Sequence, residues 1–175
     1  MRRRIVMVLL ILGCFLLQST VWNLFPFSNF KPNLMLILVI SFAFVHGKKS
    51  GIFLGFFSGL LIDLFYGNII GFTALIYMYI GYAVGSLYKV FFDDDVRLPM
   101  LISAAADIVY NLIFYLIRYA SGYRLDFGAC FTHIIMPEMI STVIFMLILF
   151  RLFYFINKKL LEHEVEEKES PWLLK

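Results

Sequence analysis

An aspartate stands inside an apolar segment of this chain, at the end of a regular series of glycines. The segment reads GKKSGIFLGFFSGLLIDLFYG from Gly47 to Gly67, and Asp63 follows Gly59 by four residues. An ionised acid that faces lipid costs at least about 2.5 kcal/mol, so Asp63 requires a cavity, a proton or a counter-charge. We therefore expect its side chain to point into a bundle of helices.

A polar stripe farther along the chain offers partners for this acid. One helix face carries Ser103, Asp107, Asn111 and Arg118. Arg118 is expected at the same end of the bundle as Asp63, so an ion pair between these two residues is geometrically possible. Glu138, with Ser141 and Thr142 one turn on, adds a polar patch at that end. The predicted intramembrane polar cluster comprises Asp63, Asp107, Asn111, Arg118 and Glu138. It could lock helix packing, line a cavity for a ligand or lipid headgroup, or relay protons or ions.

Small residues at helical spacing predict close contact between helices. Gly47, Gly51, Gly55 and Gly59 are four apart, and Gly81 and Gly85 repeat the step. In lipid, where helix pairing gains no hydrophobic free energy, such grooves allow near approach of backbones. We interpret them as a surface for internal packing or for a partner protein.

No other chemistry is indicated. The chain lacks GxxxxGK[ST], HExxH, GxSxG and CxxC motifs, and its loops are too short for a catalytic domain. His46 and His133 stand alone, and Cys14 and Cys130 are interpreted as buried small hydrophobes. The sequence therefore predicts no enzyme activity, no cofactor and no metal, and the net charge of +3 gives no indication of nucleic-acid binding.

Composition predicts an all-α integral membrane protein. Hydrophobic residues make up 62% of the 175 and the mean hydropathy is +0.87, outside the soluble range. The apolar segments lack the alternation of barrel strands, so we predict a bundle of six transmembrane helices. The expected spans are 5–25, 32–46, 50–66, 69–90, 98–119 and 132–156, followed by a charged cytoplasmic tail over 157–175. The first is interpreted as a span rather than a signal peptide, because no A-x-A-like site follows it.

Two spans have unusual features. The second is shorter than a hydrocarbon core of about 30 Å and must be shielded by neighbours or thin the bilayer. In the last, Pro137 either kinks a helix begun near Thr132 or opens one as its first residue, with Gly122–Met136 outside it.

The distribution of lysine and arginine predicts orientation. With both termini in the cytoplasm, all but three of these residues, Lys31, Arg118 and Arg124, fall on the cytoplasmic side. The positive-inside rule therefore favours cytoplasmic termini and an even number of spans.

The residues resemble a known family. A basic amino terminus, KPNLMLILV at the start of the second span, and GIFLGFFSGLLIDLFYGNIIGFTALIYMYIGY from Gly51 to Tyr82 are similar to MreD, the bacterial rod shape-determining membrane proteins. The glycine-to-aspartate block is the most specific part. The positions that match the family's motif are Gly51, Gly55, Gly59, Asp63 and Gly71.

This resemblance implies a non-enzymatic scaffold of the elongation machinery in the inner membrane. Its expected partners are MreC most directly, then MreB, RodA and a class B penicillin-binding protein, together with membrane lipid. The family is also similar in helix layout to the substrate-binding subunits of energy-coupling-factor vitamin transporters, which supplies an alternative function. Those subunits dock through small-residue steps on their first helix, where this chain has Gly13 alone.

Overall fold

The chain is all-helical in the computed structural model, which describes residues 2–24, 31–67, 69–87, 97–120 and 126–169. Five separate helices come first: α1 (Arg2–Leu24), α2 (Leu34–His46), α3 (Lys48–Tyr66), α4 (Phe72–Ser86) and α5 (Arg97–Ala120). A continuous helical run follows, made of α6 (Phe127–Cys130), a π-helical turn (Phe131–Ile135) and α7 (Met136–Glu169). Counted with this run as one, the described residues form six helices and no strand.

Three of these helices have the length and composition to cross a membrane. They are Lys48–Tyr66, Leu98–Ala120 and Phe127–Phe153. Val6–Thr20, Leu34–His46 and Phe72–Ser86 are apolar but shorter. The helices lie within or around the predicted spans, while the predicted ends at Phe25, Lys89 and Val90 fall outside the described residues.

The short α2 lies at the centre of the bundle. Every residue from Leu34 to Phe44 is buried, and α1, α3, α4, α5 and α7 all pack against it. At 1.5 Å per residue its 13 residues reach only about 20 Å, less than a hydrocarbon core of about 30 Å. Its neighbours shield it, as its length led us to expect.

A single glycine joins α2 to α3. Gly47 alone separates the two helices, and its φ of 77° lies in the region that residues with a Cβ avoid. Its N–H donates to the Ala43 carbonyl, which closes the end of α2. Gly47 thus makes a turn, a requirement that the four-residue spacing did not reveal.

Helices α3 and α4 touch backbone to backbone along their glycine faces. A Cβ added to Gly51, Gly55 or Gly59 would lie closer than 3.0 Å to backbone atoms of Gly81, Tyr77 and Ala74 respectively. Gly81 meets Gly51 in return, and a Cβ on Gly85 would lie 2.7 Å from the Lys48 Cα. The glycine face of α3 is therefore occupied within the chain.

The last helix passes through Pro137 without ending. It begins at Phe127 rather than near Thr132 or at Pro137, and the π-helical turn directly precedes α7. In that turn the Met136 N–H donates to the Phe131 carbonyl, five residues back. Such widening relieves the clash between a proline ring and the preceding turn. Pro137 therefore does not open the helix, and the alternative of a helix that begins before Pro137 holds with an earlier start, at Phe127. Helix α7 continues to Glu169, so part of the predicted tail is helical.

The two cysteines differ in environment. Cys14 is buried in the core, as predicted, whereas Cys130 is only partly buried in α6. Both are free thiols.

We expect Gly55→Leu to separate α3 from α4, and Gly55→Ala to destabilise the fold as well, because the added Cβ meets rigid backbone. Overpacking of this kind costs about 1–3 kcal/mol, and leucine should cost more than alanine. Unfolding of the purified protein in detergent measures the effect.

Gly13→Ala is the matched control for that substitution. Gly13 is also inside a helix, but a Cβ there meets nothing within 4 Å. Alanine at Gly13 should be neutral or stabilising through helix propensity. Equal unfolding midpoints for Gly55→Ala and Gly13→Ala would contradict the observed packing.

Candidate functional site

Asp63 caps the amino terminus of α4. Its carboxylate accepts backbone hydrogen bonds from Gly71 N–H (2.9 Å), Thr73 N–H (3.2 Å) and Ala74 N–H (3.2 Å), and its side chain is only 2% exposed. The first N–H groups of a helix have no partner within it, and this helix end carries partial positive charge. The acid therefore has three donors and a favourable field, and none of them comes from a basic side chain of the described residues.

The loop between α3 and α4 places the acid. Gly71 has a left-handed φ of 92°, while a Cβ on it would meet nothing within 4 Å, so its requirement is conformational rather than helix packing. A Cβ on Gly67 would lie 2.7 Å from the Asp63 Cα. These glycines let the chain fold back so that α4 begins over the last turns of α3.

Asn33 plays the corresponding part for α2. Its Oδ1 accepts from the Leu36 N–H at 3.2 Å and from the Tyr77 hydroxyl at 2.7 Å, while its own N–H donates to the Thr142 Oγ1 at 3.1 Å. The Met35 N–H donates to the Gln18 Oε1 at 3.1 Å. One capping residue thereby ties α2 to α4 and α7.

Asp107 of α5 and Glu138 of α7 lie within electrostatic range of each other. Asp107 is completely buried, and neither carboxylate oxygen has a hydrogen-bond partner among the described residues. Glu138 is half-buried, with the Asn111 side chain near it and the Lys31 charge within range. The two acids thus lie in one polar region but differ in burial and in the polar groups near them.

We call this region the buried network. It consists of Asn33, Tyr77, Asp107, Asn111, Glu138 and Thr142. Tyr110 lies within range of Asp107, Glu138 and Asp63, and so connects the network to the cap of α4. Three of the five residues of the predicted polar cluster therefore belong to the network, and Asp63 adjoins it.

Arg118 does not join this region. It lies exposed in the last turn of α5, and no ion pair links it to Asp63 within the described part of the chain. Backbone N–H groups take the place of the guanidinium beside Asp63. The ion pair between Asp63 and Arg118 that the sequence allowed is therefore not formed.

Sequence reasoning missed several contributors: Asn33, Thr73, Tyr77 and Tyr110. Only Asn33 carried a local signal, since an asparagine directly before an apolar run is a typical N-cap. The spacing of the two tyrosines does not distinguish them from lipid-facing aromatic residues.

The described residues form no metal-binding cluster. No group of three His, Cys, Asp or Glu side chains capable of holding a metal occurs among the described residues. His133 is exposed and His46 stacks on Phe42. The chemistry available here is hydrogen bonding between helices and the holding of charge or protons by buried acids.

We expect Asp63→Asn to be milder than Asp63→Leu. Asparagine keeps one carbonyl oxygen as an acceptor, whereas leucine leaves the first N–H groups of α4 buried without a partner. Loss of an N-cap costs about 0.5–2 kcal/mol, and a buried unsatisfied group about 1–3 kcal/mol. Unfolding in detergent should follow the order wild type, Asn, Leu.

Asp126→Asn is the control for that series. Asp126 also precedes a helix but makes no side-chain cap hydrogen bond. It should leave the unfolding midpoint unchanged. If Asp63→Leu were as stable as Asp126→Asn, the cap would contribute nothing.

We expect Tyr77→Phe to lower the unfolding free energy by about 1 kcal/mol, because it removes the hydroxyl that donates to Asn33 while the ring remains. Tyr79→Phe, two residues on and 64% exposed, is the matched control and should have no effect. Equal stability of the two variants in a detergent unfolding assay would argue against the link between α2 and α4.

Comparison with known proteins identifies the family. The profile described as rod shape-determining protein MreD matches residues 1–160. Neither a search of curated proteins nor a search of solved structures gives a match. The profile spans all the described helices except the far end of α7. This chain therefore belongs to the MreD family of membrane proteins, which act in the determination of rod shape.

Proposed function

We propose that this chain is a non-enzymatic scaffold of the elongation machinery, and that it binds MreC and so links it to peptidoglycan synthesis. MreB, RodA and a class B penicillin-binding protein join the same larger complex in this proposal. Family membership supports the role in rod shape. The observation that carries the scaffold proposal is the closed contact of α3 with α4, which gives the bundle a fixed core.

The proposal places the chain in the cytoplasmic membrane with six spans and both termini in the cytoplasm. Three helices are long enough to cross on their own, and the shorter α2 is enclosed by others. Under this topology Lys48 and Lys49 lie at the cytoplasmic turn, while Asn33 and Asp63 lie toward the outer face. The buried network then occupies the outer part of the bundle and extends inward to Asp107.

A partner must contact faces other than the glycine face. Gly51, Gly55 and Gly59 already meet the α4 backbone, so they have no room for a further helix. The opposite side of α3 exposes Phe53, Phe56 and Phe57, and other helices also carry exposed apolar residues. The glycines therefore act on partners indirectly, by holding these surfaces in place.

The transporter alternative has less support. A cavity of about 310 Å³ lies between α1, α2 and α7, and its walls include Leu9, Cys14, Leu34 and Phe153. No charged or amide side chain lines it. A water-soluble vitamin needs placed hydrogen-bonding groups in its site, and the side chains that line this cavity offer only the weak thiol donor of Cys14.

We expect gently solubilised membranes to yield MreC together with the tagged chain. Gly55→Leu should lower the recovery of MreC, whereas Gly128→Ala, where a Cβ meets nothing within 4 Å, should not. Depletion of the chain should turn rods into spheres in rich medium, and Gly128→Ala should restore the rods.

Two results would contradict this proposal. Recovery of an ATPase module and a retained vitamin in place of MreC would favour the transporter function. Normal rods and full MreC recovery with Gly55→Leu would show that the α3–α4 contact does not matter for partners.

A further inference from the structure

Asp107 is fully buried, and no described group meets its carboxylate in hydrogen-bonding geometry, while the Thr142 side chain lies beside it. Its exposure is 0% and neither oxygen has a hydrogen-bond partner. The nearby Asn111 amide donates at 3.1 Å to the backbone carbonyl of Asp107, not to its carboxylate. Asp63, by contrast, is equally sheltered but receives three N–H donors.

The described polar groups within electrostatic range of Asp107 do not include a cation. They are Glu138 and Thr142 from α7, Tyr77 from α4 and Tyr110 from α5. The Tyr77 hydroxyl donates to Asn33, so its proton is already committed. Along the same two helices, a cavity of about 330 Å³ is lined by Met100, Leu101, Ala104 and Val143, all apolar.

Glu138 is better equipped than Asp107 to carry a negative charge. It is half-buried, the Asn111 side chain lies near it, and it is within range of the exposed Lys31 that precedes α2, whereas no cation among the described residues is within such range of Asp107. Asp63, at the end of α3, lies within range of Tyr110, which connects it to the buried network. Its carboxylate accepts hydrogen bonds from three backbone N–H groups. A second charge on Asp107 would lie near that of Glu138 inside the buried network, where like charges and lost hydration both oppose ionisation.

We propose that Asp107 is a proton-binding site within the membrane, between α5 and α7. The carboxyl takes its proton from water and is held as a neutral acid at physiological pH. Its O–H then supplies a donor that faces the Glu138 carboxylate. Release of the proton would put two negative charges between α5 and α7, so the bound proton stabilises the contact of these helices.

Infrared spectroscopy of the full chain in lipid nanodiscs tests this directly. A neutral carboxylic acid has a carbonyl stretch distinct from that of a carboxylate. We expect this band at neutral pH in the wild type, its shift when the aspartate side chains are ¹³C-labelled, and its loss in Asp107→Asn. Asp126→Asn, which removes an exposed acid, should keep the band.

Absence of the band at neutral pH, or its persistence in Asp107→Asn, would overturn the proposal. A shift with labelled glutamate instead of aspartate would assign the proton to Glu138 and would overturn it too. The labelling experiment uses wild-type protein, so it holds even if Asp107→Asn does not fold.

Thermal unfolding measurements distinguish a proton-binding site from a site for a metal cation. If Asp107 is neutral, the similarly shaped and uncharged Asp107→Asn should unfold within a few degrees of the wild type, and NaCl in place of choline chloride should not change the wild-type midpoint. A lower midpoint for Asp107→Asn, together with stabilisation of the wild type by Na⁺, would show a metal-cation site in place of the proton.

Discussion

Contact between the backbones of α3 and α4 is the constraint on which the rest of the bundle depends. In lipid, two helices gain little by hiding apolar side chains from each other, so their association relies on close packing. Glycines on both helices remove the side chains that would hold them apart. At the end where α3 turns into α4, Asp63 adds hydrogen bonds from three N–H groups. Packing and capping therefore stabilise the same pair.

The two buried aspartates show how position decides the chemistry of one residue type. Asp63 lies at the amino-terminal end of α4, where free N–H groups and the helix dipole stabilise an anion. Asp107 lies beside mid-helix backbone whose N–H groups are engaged within the helix, so no such donors reach it. Among the described residues, the charge that acts on it is that of another acid, Glu138. An acid that caps a helix end receives backbone donors there, whereas an acid on a helix flank must find its partners among side chains.

The sequence predicted the parts of this structure that depend on local pattern. Glycine spacing indicated the close face of α3, and apolar runs indicated the helices. The partners of Asp63 could not be predicted, because backbone N–H groups leave no mark in composition, and a distant arginine on a matching stripe was the more visible candidate. The passage through Pro137 likewise depends on a π-helical turn, for which the sequence around Thr132 has no distinctive residue. Gly47 belongs to the four-residue series of the packing glycines, and Gly71 is grouped with them by the family resemblance. Their positive φ angles show that both are required for backbone conformation instead.

The short length of α2 and α4 explains why polar residues gather at one end of an otherwise apolar bundle. Helices of 13 and 15 residues cover about 20–22 Å, so at least one end of each lies within a layer about 30 Å thick. There, water cannot satisfy the first N–H groups, and protein side chains must do so. Asn33 and Gln18 serve α2, and Asp63 serves α4. Once these polar groups are buried they need partners of their own, which Tyr77 and Thr142 supply from neighbouring helices. The links between helices at this end thus follow from helix length.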